Sequence, residues 1–214
     1  YFLNIASAGL SGLVDLFANQ SSKRLGGKAT FLLASAKAAL RYRNPRVRVR
    51  LDDRPWDEVR LYTLVVANGG YFGGGMHIAP GARLDDGLFE VVTLGDLSLP
   101  EAAQLAYHVY QGSHLTLPKV TAARARTVRV ELCEPSDKVL LDVDGETPGR
   151  LPAQWTVLPK ALLETAADGS GRIAVVLPHA PEYAGLPGEG APAPARSLDL
   201  PQRIVREGAG WRPA

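Results

Sequence analysis

Short segments in which apolar residues recur every second position follow one another along residues 45–178. In residues 47–51 valine and leucine alternate with arginine, which is typical of a strand in a sheet with one solvated face. Further strand-like segments follow at 61–67, 88–94, 127–132, 138–143, 154–158 and 172–177, of which 61–67 is more uniformly apolar and is predicted to be a central strand. Because an apolar sheet face needs another layer to cover it, the pattern predicts a mainly β (α+β) fold, an antiparallel β-sandwich with a few helices.

Three regions differ in composition. Residues 1–44 contain a strand-like start and two helical patterns, so they are predicted to be an entry strand and helices leading into the sandwich of residues 45–178. Within that sandwich, Ser98-Leu-Pro-Glu101 is a capping-box sequence that predicts a helix through Tyr110. Residues 179–214 are rich in proline, glycine and alanine, and we expect a loosely ordered tail there.

Several classes of protein are excluded by composition. Cys133 is the only cysteine, which excludes an internal disulfide and indicates a reducing, cytoplasmic location. No apolar run approaches the roughly 18 residues that a membrane-spanning helix needs. A net charge of +2 gives no reason to expect a nucleic-acid partner. The chain begins with Tyr1 and its one methionine is Met76, so we expect it to be a piece of a longer protein.

Positive charge is concentrated in one stretch. Between Leu16 and Leu51 there are nine Lys or Arg residues and no Asp or Glu. One interpretation is a solvated helix and edge strand. The other is a surface that faces anionic lipid headgroups or ATP phosphates, where each cation contributes about 1 kcal/mol.

Two acidic turns border predicted strands. The first is Arg83-Leu-Asp-Asp-Gly-Leu88, and the second is Asp142-Val-Asp-Gly-Glu146. Asp-Gly is common in hairpin connections, so both can be simple turns. Paired carboxylates at the end of an apolar strand can also accept a proton or order a metal-bound water. Residues 1–214 contain neither a phosphate-binding lysine loop nor a nucleophile elbow, and none of the four histidines has zinc-site spacing.

A glycine-rich segment lies between these turns. In Asn68-Gly-Gly-Tyr-Phe-Gly-Gly-Gly-Met-His, five of seven consecutive residues after Asn68 are glycine. Such a run indicates either a long flexible hairpin loop or a backbone that passes close to another group. Together with Ala79-Pro-Gly, Tyr110-Gln-Gly-Ser-His and Asp142-Val-Asp-Gly-Glu, in this order, the segment closely resembles the bacterial diacylglycerol kinase and sphingosine kinase-like lipid kinases. The resemblance covers roughly residues 1–177.

The resemblance implies specific roles. This chain resembles the C-terminal β-sandwich domain of a two-domain enzyme, whose N-terminal domain carries a nucleotide-binding Gly-Gly-Asp-Gly-Thr loop that residues 1–214 lack. By position, Asp144 matches the proton acceptor for the lipid hydroxyl, and Glu146 supports the nucleotide or the base. Asp86 matches the carboxylate of a magnesium site, which the backbone carbonyls of Arg83 and Leu88 complete.

The resulting prediction is the C-terminal domain of an ATP- and Mg²⁺-dependent lipid kinase that acts at a membrane surface. Its acceptor is diacylglycerol or a sphingoid-like alcohol. Its partner is the N-terminal nucleotide-binding domain, without which the isolated chain is expected to be inactive. The alternative is a non-catalytic lipid-binding or regulatory β-sandwich module. Retention of Asp86, Asp144 and Glu146 together favours the enzyme.

Overall fold

The computed structural model describes residues 1–20, 27–165, 172–179, 204–207 and 210–213. Residues 1–182 and 183–214 form two separate units. In the second unit, β11 (Ile204–Glu207) and β12 (Gly210–Pro213) pair as an antiparallel hairpin. The other residues of the expected tail beyond His179 lie outside the described residues.

The first unit contains ten strands and three α-helices among its described residues. The helices are α1 (Leu10–Gln20), α2 (Gly27–Arg41) and α3 (Leu99–Gln111). The first five strands are β1 (Ile5–Gly9), β2 (Arg46–Leu51), β3 (Asp57–Arg60), β4 (Thr63–Ala67) and β5 (Phe89–Leu94). The next five are β6 (Val120–Ala125), β7 (Thr127–Leu132), β8 (Leu141–Val143), β9 (Ala153–Thr165) and β10 (Arg172–His179).

The strands form two antiparallel sheets. Sheet A has the order β6-β5-β4-β1-β8, and sheet B has the order β10-β9-β7-β2-β3. The prediction of a mainly β sandwich with a few helices is therefore confirmed. Strand β1 lies between β4 and β8, with Ile5 opposite Ala67 and Ala6 opposite Val143.

The main core lies between the two sheets. Sheet A contributes Leu64, Val66 and Phe89, and sheet B contributes Val47 and Trp155, all of them fully buried. The opposite face of sheet B is solvated, because the arginines that alternate with Val47 and Val49 on β2 point outward. This burial pattern is the alternation that the sequence of β2 predicted.

Sheet A is covered on its other face as well. Val65 and Ala67 of β4 pack with Leu105 and Val109 of α3 in a second apolar cluster. Burial on both faces explains why β1 and β4 are continuous apolar runs rather than alternating ones. At the start of α3, the Glu101 carboxylate accepts a hydrogen bond from the Ser98 N–H at 2.8 Å, as the capping-box sequence predicted.

Within the described part of the first unit, two strands have no counterpart among the segments predicted from sequence. β3, Asp57-Glu-Val-Arg60, carries mostly charged residues and lies at the edge of sheet B, where only Val59 packs against the core. β6, at the edge of sheet A, is rich in alanine, which has little strand propensity. None of the helices in the described ranges is long and apolar enough to cross a membrane.

Candidate active site

The Asp142–Glu146 segment forms a tight hairpin turn after β8. Asp144 and Gly145 both have positive φ, 50° and 87°, which is the signature of a type I′ turn. Val143 donates its N–H to the Glu146 carbonyl at 2.8 Å, and the Glu146 N–H donates back to the Val143 carbonyl at 3.1 Å. The Asp-Gly dipeptide thus fixes this turn at the edge of sheet A.

The Asp144 carboxylate is held by the backbone that enters β1. The N–H of Leu3 donates to Asp144 Oδ2 at 2.7 Å, and those of Asn4 and Ile5 donate to Oδ1 at 3.1 and 2.9 Å. The Asp144 N–H donates in return to the Ile5 carbonyl at 3.0 Å. A carboxylate offers about four acceptor positions. With three filled, its direction is fixed and one position on Oδ2 is left to accept a proton.

Two further carboxyl groups lie beside this turn. Asp142 is 5% exposed, and it accepts hydrogen bonds from the Ser7 hydroxyl at 3.0 Å and the Gly145 N–H at 2.9 Å. Asp15 of α1 is hydrogen bonded to it side chain to side chain. Burial and then the charge of Asp142 raise the pKa of Asp15 to about 8. Burial also raises the pKa of Asp142.

Glu146 follows Asp144 by two residues and is exposed. Its negative charge contributes to raising the pKa of Asp15, after burial and the effect of Asp142. Glu146 is therefore part of the same acidic group as Asp15 and Asp142.

A large cavity opens beside these carboxyl groups. Its volume is about 730 Å³, within the range of small-molecule pockets. Its charged lining residues are Asp15, Asp142 and Asp144. Most of its wall is apolar and comes from the three helices, the glycine-rich segment and strands of sheet A. These lining residues include Phe31, Ala36, Ala39, Phe72, Met76, Leu99, Ala102 and Ala106. The cavity can therefore hold an aliphatic chain with its polar end at the β8 turn.

The glycine-rich segment packs closely against the start of β1. A β-carbon at Gly69 would lie 2.2 Å from Asn4 Oδ1, so a side chain there would displace the Asn4 amide. The Asn4 carbonyl accepts the N–H groups of Asn68 and Gly69, and the Asn4 side chain donates to the Tyr71 carbonyl at 2.9 Å. The glycine-rich segment thus supports the backbone that holds Asp144. This agrees with the prediction that its backbone passes close to another group.

Asp86 lies in the other acidic turn, before β5. Its Oδ1 accepts the Leu88 N–H at 3.0 Å, and its Oδ2 is paired with the guanidinium of Arg124 on β6. Arg124 also lies 3.6 Å from the carboxylate of Glu90. Asp85, which the sequence cannot distinguish from Asp86, is exposed and pairs instead with Arg83 at 3.4 Å.

The carboxylate oxygens around Asp86 are of the type that binds a hard cation, although Arg124 already pairs with them. Mg²⁺ prefers oxygen ligands, and here the two carboxyl groups of Asp86 and Glu90 face the single positive charge of Arg124. In the part of the chain that the structure describes, no three Asp, Glu, His or Cys side chains form a metal cluster. The carbonyls of Arg83 and Leu88 would therefore have to complete the set, and the cation would share Asp86 with Arg124.

The two acidic turns lie at the same end of sheet A but near opposite edges. Asp144 is bonded to Ile5, which pairs with Ala67, which pairs in turn with Glu90 of β5. Glu90 pairs with Arg124, the partner of Asp86. Three to four strand spacings correspond to about 14–19 Å. The structure therefore brings Asp144 and Glu146 together and keeps Asp86 apart from them.

Comparison with known proteins identifies the class of this domain. The chain belongs to the family of YegS C-terminal NAD kinase beta sandwich-like domains, whose family model matches residues 4–164. The resemblance drawn from the glycine-rich and Asp-Gly-Glu motifs is therefore confirmed.

Curated relatives include proteins named diacylglycerol kinase. The one from Mycobacterium tuberculosis (strain H37Rv) is 30% identical over 162 residues, covering 76% of this chain and 51% of its own length. The one from Staphylococcus carnosus is 28% identical over 156 residues, covering 72% and 49%. A crystal structure of a diacylglycerol kinase from Bacillus anthracis has a TM-score of 0.42 at 18% identity, covering 72% of this chain and 45% of that one. The chain spans about half the length of the curated relatives it matches.

Three residues of this site were missed by sequence reasoning. Asn4, Asp15 and Asp142 all line the cavity with Asp144. Asp142 stands in the motif that was singled out, where its place in an apolar strand was a usable signal. Asp15 and Asn4 meet Asp144 and Asp142 only through the pairing of β1 with β8, which lies more than 120 residues away in the chain.

Proposed function

We propose that this chain supplies the acceptor-lipid pocket and the proton-accepting carboxylate of an ATP- and Mg²⁺-dependent lipid kinase. The observation that carries the proposal is the position of Asp144, whose carboxylate is aimed by three backbone N–H groups and lines an apolar cavity of about 730 Å³. A hydroxyl at the polar end of a lipid in that cavity meets a fixed proton acceptor. The names of the relatives support kinase chemistry.

In the proposed reaction, the lipid hydroxyl oxygen attacks the γ-phosphorus of ATP. A bond forms between that oxygen and phosphorus while the bond from phosphorus to the ADP oxygen breaks, and the hydroxyl proton passes to Asp144. Glu146, exposed in the same turn, orients the nucleotide or the base. The phosphate-binding amides come from the N-terminal nucleotide-binding domain of the same protein, so the chain alone transfers no phosphoryl group.

Asp86, with the carbonyls of Arg83 and Leu88, is the proposed magnesium site. A cation there neutralises negative charge between the β5 and β6 strands. Because about 14–19 Å separate this turn from Asp144, its effect is on the rigidity of sheet A and not on the acceptor hydroxyl.

A membrane surface is the proposed source of the lipid, which makes the protein peripheral on the cytoplasmic side. Leu40 of α2 and Tyr107 of α3 are 75% and 65% exposed, and both helices line the cavity. Two cations of α2 lie over the ring of Phe17, a residue of α1. Lys37 Nζ is 4.3 Å and Arg41 Cζ is 5.5 Å from the centre of that ring. By contrast, the β2 arginines of the basic stretch pair with acids of their own sheet, such as Arg48 with Glu131 at 2.5 Å. The α2 cations are therefore the ones that serve an anionic surface.

One observation favours a second function, a non-catalytic lipid-binding module. The cavity is built from residues of this chain, so lipid binding needs no second domain. A regulatory domain that binds lipid without phosphorylating it would have the same pocket.

The deciding experiment measures ATP-dependent phosphorylation by the full-length protein against a panel of diacylglycerols and sphingoid bases. Asp144→Asn tolerates positive φ and can keep its side-chain oxygen on the Asn4 and Ile5 N–H groups, but its amide nitrogen then faces the Leu3 N–H, so it removes the base and loses one backbone hydrogen bond. We expect kcat to fall by about a hundredfold or more. Asp57→Asn on exposed β3 removes the same charge and serves as the control. Transfer to no lipid would favour the binding module, and full activity in Asp144→Asn would remove Asp144 as the base.

A further inference from the structure

Helix α1 brings one carboxyl group directly against the strand that precedes the catalytic turn. A β-carbon at Gly12 would lie 2.7 Å from the Leu140 carbonyl, so the helix and this part of the chain are in backbone contact. Asp15 follows Gly12 by three residues and lies on the same helix face. Asp142 follows Leu140 by two residues and lies on the same strand face. The two carboxyl groups therefore meet, and they are hydrogen bonded.

A hydrogen bond between two carboxyl groups needs one proton. The Gly145 N–H, which can only donate, is bonded to Asp142 Oδ1, and the Ser7 hydroxyl, which also contacts the Ser11 hydroxyl at 2.7 Å, lies 3.0 Å from Oδ2. The hydrogen bond between the two carboxyl groups favours the charged form of Asp142 and the neutral form of Asp15, so Asp15 carries the proton. The charged groups that face the pair are Glu146 and Asp144, both acidic. On the neighbouring helix α2, Lys37 and Arg41 lie over the Phe17 ring.

Asp142 is linked to the proposed base, Asp144, through a hydrogen bond from the next residue, Gly145. Gly145, which donates to Asp142, follows Asp144 in the two-residue turn, so the position of Asp142 fixes the carbonyl and N–H directions on either side of the base. We propose that Asp15 and Asp142 share a single proton and act as a positioning pair that holds the Asp144 turn against α1. When the shared proton is lost, two adjacent negative charges repel and the turn loosens.

The proposal predicts a pH-dependent change in the alkaline range, since burial and the charge of Asp142 raise the pKa of Asp15 to about 8. Below that pH the pair holds one proton and the turn is fixed. Above it both carboxyl groups are charged. This inference rests on the proposed function only for its effect on catalysis, because the pair and its hold on the turn exist whether or not the protein is a kinase.

The first test uses the 214-residue chain and needs no activity. Carboxyl carbon resonances of aspartate are followed by NMR from about pH 3 to 10, together with the amide resonances of Gly145 and Ile5. We expect one aspartate to titrate near pH 8 and both amides to shift with the same midpoint. In Asp15→Asn, which keeps an N–H donor towards Asp142, that midpoint disappears. Asp57→Asn, the control with the same charge change, leaves it in place.

The second test uses the full-length protein with its acceptor lipid. We expect kcat to fall about fivefold or more as the pH rises from about 7 to 9.5, with little change in KM, and we expect Asp15→Asn to abolish that fall. Titration of every aspartate below about pH 5 would overturn the shared proton. An alkaline fall that persists in Asp15→Asn, or a titration that leaves both amides unmoved, would overturn the positioning role. If the unmodified protein transfers no phosphoryl group, that result would count against the proposed function. The shifts of the Gly145 and Ile5 amides would still test whether Asp15 and Asp142 share a proton.

Discussion

Gly12 of α1 and Leu140 are in such close contact that a single added β-carbon on the glycine would lie 2.7 Å from the Leu140 backbone. Ordinary van der Waals contact between such atoms needs about 3.5–4.0 Å. At Gly12 the helix therefore contacts the backbone and the β-carbon of Leu140 with no side chain in between. This contact fixes the distance between α1 and the β8 turn. It therefore also fixes how close the Asp15 carboxyl group lies to that of Asp142.

Gly12→Ala tests this contact. In a helix interior the change alone would stabilise the protein by up to about 1 kcal/mol. Because the added carbon meets backbone that cannot rotate away, we expect the free energy of unfolding to fall by about 1–3 kcal/mol instead. Urea denaturation measures the difference, with Gln20→Ala, an exposed site on the same helix, as the control. A more stable Gly12→Ala protein would contradict the close packing.

The stability of the chain depends on pH through Asp15. Its pKa is raised on folding from 3.8 to about 8, so between these values the folded chain binds more protons than the unfolded chain. The contribution of Asp15 to the free energy of unfolding therefore falls as the pH rises through this window, with a slope of up to about 1 kcal/mol per pH unit after allowance for solvent screening. Asp15→Asn stays neutral at all these values.

We expect Asp15→Asn to lose this slope, so that its stability relative to the original chain increases from about pH 4 to pH 8. Urea denaturation at a series of pH values measures the relative change. Parallel stability curves for the two proteins would show that Asp15 titrates in the folded chain as it does when unfolded.

Filling the cavity should prevent lipid binding without affecting the carboxyl groups. Ala39 of α2 lines the cavity, whereas its neighbour Leu40 is 75% exposed and does not. We expect Ala39→Phe to weaken binding of a fluorescent long-chain lipid by about tenfold or more, because the ring occupies space that the chain needs. Leu40→Phe introduces the same side chain on the same helix and should bind normally. Equal binding by both variants would mean that the lipid sits elsewhere.

Magnesium binding at the Asp86 turn has a readout that is independent of activity. If the cation shares Asp86 with Arg124, added Mg²⁺ raises the Tm of the chain by mass action. Asp86→Asn removes the carboxylate and should abolish the increase, while Arg124→Gln removes the competing charge and should enlarge it. Asp85→Asn, the neighbouring exposed carboxylate, is the matched control. A Tm that rises equally in all four proteins would reflect general ionic effects.

The sequence predicts this fold well where local chemistry decides. The capping-box sequence at Ser98 and Glu101 marks the start of α3, and the Asp-Gly dipeptide at 144–145 marks the type I′ turn. Alternation along β2 identifies a half-buried strand, because one face of sheet B is solvated. Each of these signals lies within a few neighbouring residues, which is why one sequence suffices to read it.

The candidate site is predicted less completely, because its parts are far apart in the chain. The N–H groups that orient Asp144 belong to Leu3, Asn4 and Ile5, and a backbone donor has no side-chain signature. Asp15 resembles any polar residue on an amphipathic helix until β1 is paired with β8. What the sequence leaves undetermined is thus the register of that pairing, from which the positions of both groups follow.

Because β1 lies between β4 and β8, sheet A can be completed only after β8 has been synthesised. Within this chain β1 is synthesised well before its second neighbour, β8, which ends at residue 143. At typical synthesis rates the wait is on the order of ten seconds. One edge of a strand that is buried in the folded protein stays unprotected for that time. The backbone amides that orient the Asp144 carboxylate acquire their partner only when that edge closes, so the Asp144 turn is among the last parts of sheet A to form.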